Sequence, residues 1–516
     1  MNLSEPTNLL WGLVLLPAIA SALTLVAAPW PRWRQGLGWL FALGQVGLSL
    51  AVLSAFDTPP STGVSAGPLP IAQMAVSVDW LSTLESPARL GVDGLNLYAL
   101  LLLAVVTLLA LLVDPLDGLA RAALRQAGVF AVCAAAVIFL TSRDLLLAAA
   151  CHATAALALA GVMHLGAQSR PRRPAAQAFL TPALLASGLL WCAGIWAKAA
   201  SDGLSASIDA LVVSATPTGV ALALTLFLVL HLPLVPLHRW QTHGCGEGAA
   251  LSGIVLAGGL WMMLGVSGWL RLGLPLSSQA LDDVGMVLMW WGAISAALGV
   301  GIASTRERIG DRLAWGCLAS GGLVAMGLGA LNLSATSGAL LLCAALGLPR
   351  AASLVLVRWL PVETGGRRIG LWWSAMAVSL GAVAGTGAFA GLLPLLAGGS
   401  AWPVVVCVVV STMLTGVLLA PVARVSARVD APPMAWSLRL GLVLSLCVVI
   451  VSGWQPAWLA AWVTPDVERV LATAPMPQWS AGVDAGMESI SAGSQPENGA
   501  PPTAPSSDRS PGDLTP

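Results

Sequence analysis

Charge is scarce in this chain of 516 residues: Asp, Glu, Lys and Arg together make up 9%, against 57% hydrophobic residues. So little polar surface cannot cover a water-soluble fold of this size. Lysine occurs once, as Lys198. Basic and acidic residues balance at 24 each, so no positive excess invites nucleic acid. The eight cysteines include no CxxC pair and lie mostly inside apolar runs, which argues against a disulfide framework, a zinc site and an iron–sulfur cluster.

Long apolar runs are what the chain has instead, and its mean hydropathy is +0.84. At roughly 20 residues per crossing, these runs predict an all-α, polytopic membrane protein of about fourteen transmembrane helices. The fourth span is expected at Ala127–Thr141, the fifth at Leu145–Leu165, the seventh at Pro217–Val235 and the eighth at Ala250–Leu270. The tenth follows at Leu313–Ala330, the eleventh at Gly338–Val357, the twelfth at Ile369–Leu396 and the fourteenth at Leu438–Ser452. Glu5 and no basic stretch precede the first span, which therefore reads as a retained helix.

Loops after odd-numbered spans hold sixteen arginines, whereas those after even-numbered spans hold Arg89, Arg143, Lys198 and Arg271. Basic residues stay on the cytoplasmic side, so both termini are expected on the non-cytoplasmic side of a bacterial-type inner membrane. Trp30, Trp33, Trp80, Trp240, Trp269 and Trp372 at span ends suit belts at the headgroup level. Residues 1–94 read as two spans and an external loop, 95–425 as the transmembrane core and 426–472 as the last span and its end. From residue 473 a Pro-, Ser- and Gly-rich composition predicts a disordered external tail.

Four stretches then carry a resemblance. Arg89–Leu97 (RLGVDGLNL) is similar to the LGVDGISL signature of the antiporter-like subunits of respiratory complex I. Leu232–Trp240 (LPLVPLHRW) resembles that family's VPMFPFHTW, and Glu247–Gly258 (EGAALSGIVLAG) its VEAPTAGSVILAG. Ser379–Gly391 (SLGAVAGTGAFAG) resembles SLGLPGTSGFVGE. The motifs stand in unbroken order between about residues 75 and 425, and they look most like subunit M, the chain-4 type. The resemblance implies an antiporter-like fold with inverted repeats and with broken helices in spans seven and twelve, at Pro233 and Pro236 and at Gly385, Gly387 and Gly391.

That family moves protons with ionisable side chains inside the bundle, as hydrocarbon requires. Carried over position by position, its span-five Glu falls at about Ala153 beside His152, and its span-seven Lys at His231. Its span-eight Lys falls at Met262 or Met263, its span-twelve Glu at Leu392, and its relay histidines near Ser320 and Leu346. His231 is thus the foremost proton-path candidate, against the alternative of a neutral core histidine bonded to a carbonyl that the prolines free. His152 and His238 are further candidates. A single helical step turns His152 by roughly 100° from the Glu position, and a polar packing role is its alternative.

His164 reads as interfacial. His238, His243, Cys245 and Glu247 form a loop with metal-capable residue types, for which a structural loop is the alternative. Arg350, in a GLPRA segment like the family's GLxKA, is a fixed cation in a span, and Asp144 reads as a helix cap. The Gly381–Gly391 segment lies in an apolar span and is no phosphate loop.

The resemblance implies a membrane-arm subunit of a proton-translocating NADH–quinone oxidoreductase complex, structural or weakly translocating because its charged posts are replaced. A subunit of a multisubunit cation/proton antiporter is the alternative. No feature of the chain binds NADH, flavin, an iron–sulfur cluster or quinone, so redox groups are expected in partner membrane subunits.

Overall fold

The computed structural model describes residues 6–58, 69–81, 86–114, 119–165, 173–200, 206–212, 217–244, 250–276, 281–359, 367–399, 401–422, 435–454 and 456–472. Uninterrupted Leu, Ala and Val runs become helices because each backbone N–H and C=O must be satisfied within its own segment in hydrocarbon. Two helices, α1 (Pro6–Val26) and α2 (Pro31–Ala55), lead into a hairpin of β1 (Gln73–Leu81) and β2 (Ser86–Val92). Then come α3 (Gly94–Leu112), α4 (Leu119–Thr141), α5 (Leu145–His164), α6 (Arg173–Ala200), the short α7 (Ile208–Leu211), α8 (Thr218–His231), α9 (Arg239–Gly244) and α10 (Leu251–Gly268). The second half holds α11 (Leu281–Thr305), α12 (Ile309–Gly329), α13 (Leu333–Trp359), α14 (Arg367–Leu380), α15 (Gly387–Ala397), α16 (Ala401–Leu419), α17 (Trp436–Trp454) and α18 (Pro456–Leu471).

Eleven described helices are long and apolar enough to cross a membrane. The expected fourteen depends on three further places: α12, which carries Asp311 and Arg312 near its start, the 14-residue α8, and the pair α14 and α15. The helices α3, α10 and α13 form the buried centre, while α1, α2, α16 and α17 turn most of their apolar side chains outward. That outward face is the one a bilayer covers. The described residues of the three expected parts, up to residue 472, belong to one compact unit. The expected tail from residue 473 lies outside the described residues.

The structure corrects several expectations. The fourth span begins at Leu119, eight residues before the expected Ala127, because Arg125 does not lie in a loop. Its guanidinium is buried, 2.9 Å from Asp114, so the charge enters the helix already neutralised by a partner. The external segment before α3 is a β-hairpin, an exception to the all-α expectation; β1 pairs antiparallel with β2, Val76 opposite Leu90 and Val78 opposite Ala88. Alternating residues in VSVDW suit a half-covered strand. Trp240 and Trp269 are buried, unlike the exposed Trp30 and Trp33, so they belong to the core and not to a belt. An additional helix, α18, follows the last span.

The RLGVDGLNL motif builds the corner where hairpin, α3 and α18 meet. Asp93 caps α3 by accepting from the amides of Leu95 and Asn96, and Asn96 answers by accepting from the Asp93 amide. Arg271, counted above among loop charges, is instead buried in the last turns of the α10 segment, with its Nε 2.7 Å from Asp93. It also donates to the Leu140 carbonyl. Such a pair fixes geometry strongly, since losing one partner leaves a bare charge. Asp93→Asn should therefore lower stability by about 3–5 kcal/mol, seen as a reduced unfolding midpoint in detergent, and Asp93→Leu combined with Arg271→Met should cost less than either change alone.

Asp466 of α18 accepts from the amides of Gly94 (2.7 Å) and Ile71 (3.3 Å) and pairs with Arg469 (2.9 Å). Burial first, then the nearby Asp93 carboxylate, nevertheless pushes its pKa up to about 6, against the pull of those donors. A folded value above the unfolded one, about 3.9, favours the protonated state in the fold. The contribution is complete below pH ~4 and is lost as pH rises through about 6. The unfolding midpoint should therefore fall between pH 5 and pH 7 by more in the native chain than in Asp466→Asn.

Candidate functional site

Polar side chains in the middle of an apolar bundle are the places where chemistry is possible. The structure brings two of the three expected histidines together. His152 lies midway along α5, His231 is the last residue of α8, both are fully buried, and their Nε2 atoms are 2.8 Å apart. The helical step that separates His152 from the family's Glu position therefore still aims its ring at the position of the span-seven Lys.

Hydrogen-bond directions follow from the partners. His231 Nδ1 is 2.8 Å from the Phe227 carbonyl, which can only accept, so this nitrogen carries a proton. This carbonyl lies four residues back on α8 itself, so His231 is not bonded to a carbonyl freed by the prolines. In a neutral His231 ring Nε2 then accepts, and His152 Nε2 donates to it. His152 Nδ1 is left facing Ser187 Oγ at 2.7 Å, and that hydroxyl also has the Ala183 carbonyl at 3.0 Å.

With His152 neutral, the Ser187 hydroxyl donates to Nδ1. With one proton added, Nδ1–H donates to Ser187 Oγ, whose hydrogen turns to Ala183. Both states leave every ring nitrogen satisfied, so the pair can hold an extra proton with only a hydroxyl rotation. The ring of Trp261 lies parallel to His231 at 5.0 Å, close enough to favour a cationic ring by its π face. Phe139 and Phe227 each stand 5.3 Å from His152 and close the remaining sides.

The next residue of α10 leads to a different group. Met262, one of the two positions expected for the family's span-eight Lys, puts its sulfur 3.1 Å from Arg350 Nη1. Arg350 is buried on α13 next to Pro349, and its Nη2 also donates to Ser320 Oγ and, at 3.5 Å, to the Cys317 carbonyl. Among the described residues no carboxylate pairs with it. A guanidinium that is always protonated can set a field but cannot release a proton as a relay must. A fixed positive charge also opposes the entry of a second one.

The other candidates lie apart from the pair. His238 packs against Trp315 at 4.9 Å, in the segment between α8 and α9. Asp144 caps α5, accepting from the Leu147 amide at 2.9 Å, while the neighbouring Arg143 pairs with Asp209. Pro233 packs on α12, and the irregular stretch around the cis bond Val235–Pro236 has its backbone bonded by Ser295 and Trp291 of α11. Non-helical backbone at such depth needs that kind of cover.

Between α14 and α15 Gly385 has φ +89°, which only a residue lacking Cβ adopts freely. Gly387 opens α15 behind the Thr386 cap, and Gly391 is buried within it. Cys245 and Glu247 of the loop cluster lie outside the described residues, and no group of three metal-capable side chains occurs among the described ones. His164 is exposed at the end of α5.

Sequence reasoning missed Ser187, Trp261 and Gly265. A serine in the apolar run ALLASGLLW was the available signal for the first. Gly265 gave none, because its role is to let α10 pass His231.

No protein-family model matches the chain. It is 27% identical over 279 residues to NAD(P)H-quinone oxidoreductase chain 4, chloroplastic, of Anthoceros angustus, covering 53% of this chain and 55% of that one. The chain thus spans about half the length of this curated relative. It superposes on a chain of respiratory complex I from Thermus thermophilus with a TM-score of 0.77 at 20% identity, covering 90% of this chain and all of that one. A chain of the Mrp complex from Dietzia sp. DQ12-45-1b is also similar, with a TM-score of 0.68 at 17% identity, covering 93% of this chain and 59% of that one. The fold is therefore that of the antiporter-like subunits, in a multi-pass membrane protein.

A Cβ at Gly265 would overlap that of His231. Gly265→Ala should cost about 1–3 kcal/mol by overpacking, whereas Gly301→Ala, where nothing lies within 4 Å, should stay within roughly 0.5 kcal/mol of the native chain. Unfolding midpoints of the two variants in detergent check this difference.

Proposed function

We propose that the chain is a membrane-arm subunit of a complex I-like NADH–quinone oxidoreductase assembly, and that it holds the arm together without completing a proton path of its own. The observation that carries this reading is the pairing of two sites. The His152–His231 pair can hold a proton, but the buried ionisable group that follows across α10 is Arg350, which cannot pass one on. Redox groups belong to partner subunits in this reading, and the chain binds no NADH, flavin, iron–sulfur cluster or quinone itself. The Arg-rich odd-numbered loops support a bacterial-type inner membrane with both termini on the non-cytoplasmic side.

The likeness to the Mrp chain favours a second reading, a subunit of a multisubunit cation/proton antiporter. Purification of the native assembly separates the two: redox subunits should accompany the chain in the first case, and only antiporter-type membrane chains in the second. In vesicles containing the assembly, His152→Ala combined with His231→Ala should leave the ratio of protons moved per electron unchanged. A lowered ratio with normal assembly and electron transfer would make the pair a working relay and overturn the structural role.

A further inference from the structure

The helices α2, α4 and α17 begin at one end of the bundle and are tied together there. The Trp39 ring of α2 meets Trp436 of α17 edge to face at 5.1 Å, and Gln126 of α4 donates to the Arg34 carbonyl of α2 at 3.0 Å. Each of these helices opens with arginine: Arg32 and Arg34 on α2, Arg121 on α4 and Arg439 on α17, and none has an acid in its first turn. A cation there works against the helix dipole, which favours an anion at an N-terminus.

Arg32, Arg121 and Arg439 are exposed, whereas Arg34 and Arg125 are buried. Asp114, the one acid among the described residues at this end of α2, α3, α4 and α17, is already engaged by Arg125 at 2.9 Å and by Ser252 at 3.2 Å. The loop between α11 and α12 is different: exposed Arg306 and Arg308 stand there with exposed Glu307 and Asp311, so the charge balances. Trp30, Trp33 and Trp436 are exposed on the same helix starts as the three arginines, and exposed Leu40, Leu124 and Leu440 continue the apolar outward face from them. Exposed Trp beside Arg at the end of an apolar span marks the level of lipid headgroups.

We propose that this patch binds anionic phospholipid in preference to zwitterionic phospholipid, with Arg32, Arg121 and Arg439 meeting the lipid phosphates. Net negative charge in the lipid answers a positive patch whose own acid is taken, and the acyl chains continue over Leu40, Leu124 and Leu440. Trp39 stands at the level of Trp436, so Arg32 lies seven residues outward and Arg439 three residues inward, roughly 15 Å apart along the helices at 1.5 Å per residue. No single phosphate spans that distance, so the patch takes at least two headgroups. The inference holds whichever side of the membrane this end faces. An acidic extramembrane segment of a neighbouring protein would answer the charge and leave the apolar flank uncovered.

The test uses the full chain, purified in detergent, stripped of lipid and offered phosphatidylglycerol and phosphatidylcholine with the same acyl chains in equal amounts. Native mass spectrometry counts what binds. Phosphatidylglycerol should be preferred by about fivefold for each arginine engaged. Arg32→Gln, Arg121→Gln and Arg439→Gln together should bring the ratio close to one, while Arg306→Gln with Arg308→Gln should leave it as in the native chain. If the triple variant does not fold, the three single replacements carry the same comparison, each lowering the ratio. Equal binding of the two lipids, a ratio untouched by the patch replacements, or a ratio lowered as much by the loop replacements would each overturn the proposal. So would a photoreactive side chain at Trp33 that joins a protein neighbour in the native membrane instead of lipid.

Discussion

An ionised or unbonded polar group inside hydrocarbon costs several kcal/mol unless a partner meets it, and the interior of this protein is arranged around that cost. Arg125 enters the bundle only with Asp114, and Arg271 only with Asp93. Arg350 has no carboxylate among the described residues, so its charge is spread over a sulfur, a hydroxyl and a carbonyl. The two central histidines solve the same problem by bonding each other, with Ser187 and the Phe227 carbonyl taking the outer nitrogens. Each solution holds helices in register, and each reduces the freedom a moving proton would need.

The apolar periodicity and the ordered motifs made the architecture readable, since a helix that must satisfy its own backbone leaves few alternatives in a membrane. Boundaries failed where a charge was assumed to mark a loop. Arg125 and Arg271 are helix residues whose partners, Asp114 and Asp93, lie 11 and 178 positions away, and only the second distance is invisible to local inspection. The hairpin before α3 was hidden because a short strand pattern is weak beside long apolar runs.

Within the site, residue types were readable and contacts were not. His231 and His152 stood out as rare titratable groups in apolar spans, yet their meeting depends on α5, α6, α8 and α10 packing together. That packing includes Gly265, whose missing side chain makes room for the His231 ring. Arg350 was visible as a cation in a span, but its contact with Met262 needed the structure. The charge left inside the bundle at this level is the guanidinium of Arg350, in a segment resembling the family's GLxKA, and it cannot release a proton.

The central claim, that this bundle by itself offers protons no continuous way across, is tested most directly by proton flux into liposomes containing the purified chain and a pH-sensitive dye. Under an imposed pH gradient and membrane potential, the flux should equal that of protein-free liposomes. A flux that grows with the amount of protein and disappears when His152 and His231 are replaced would contradict the claim.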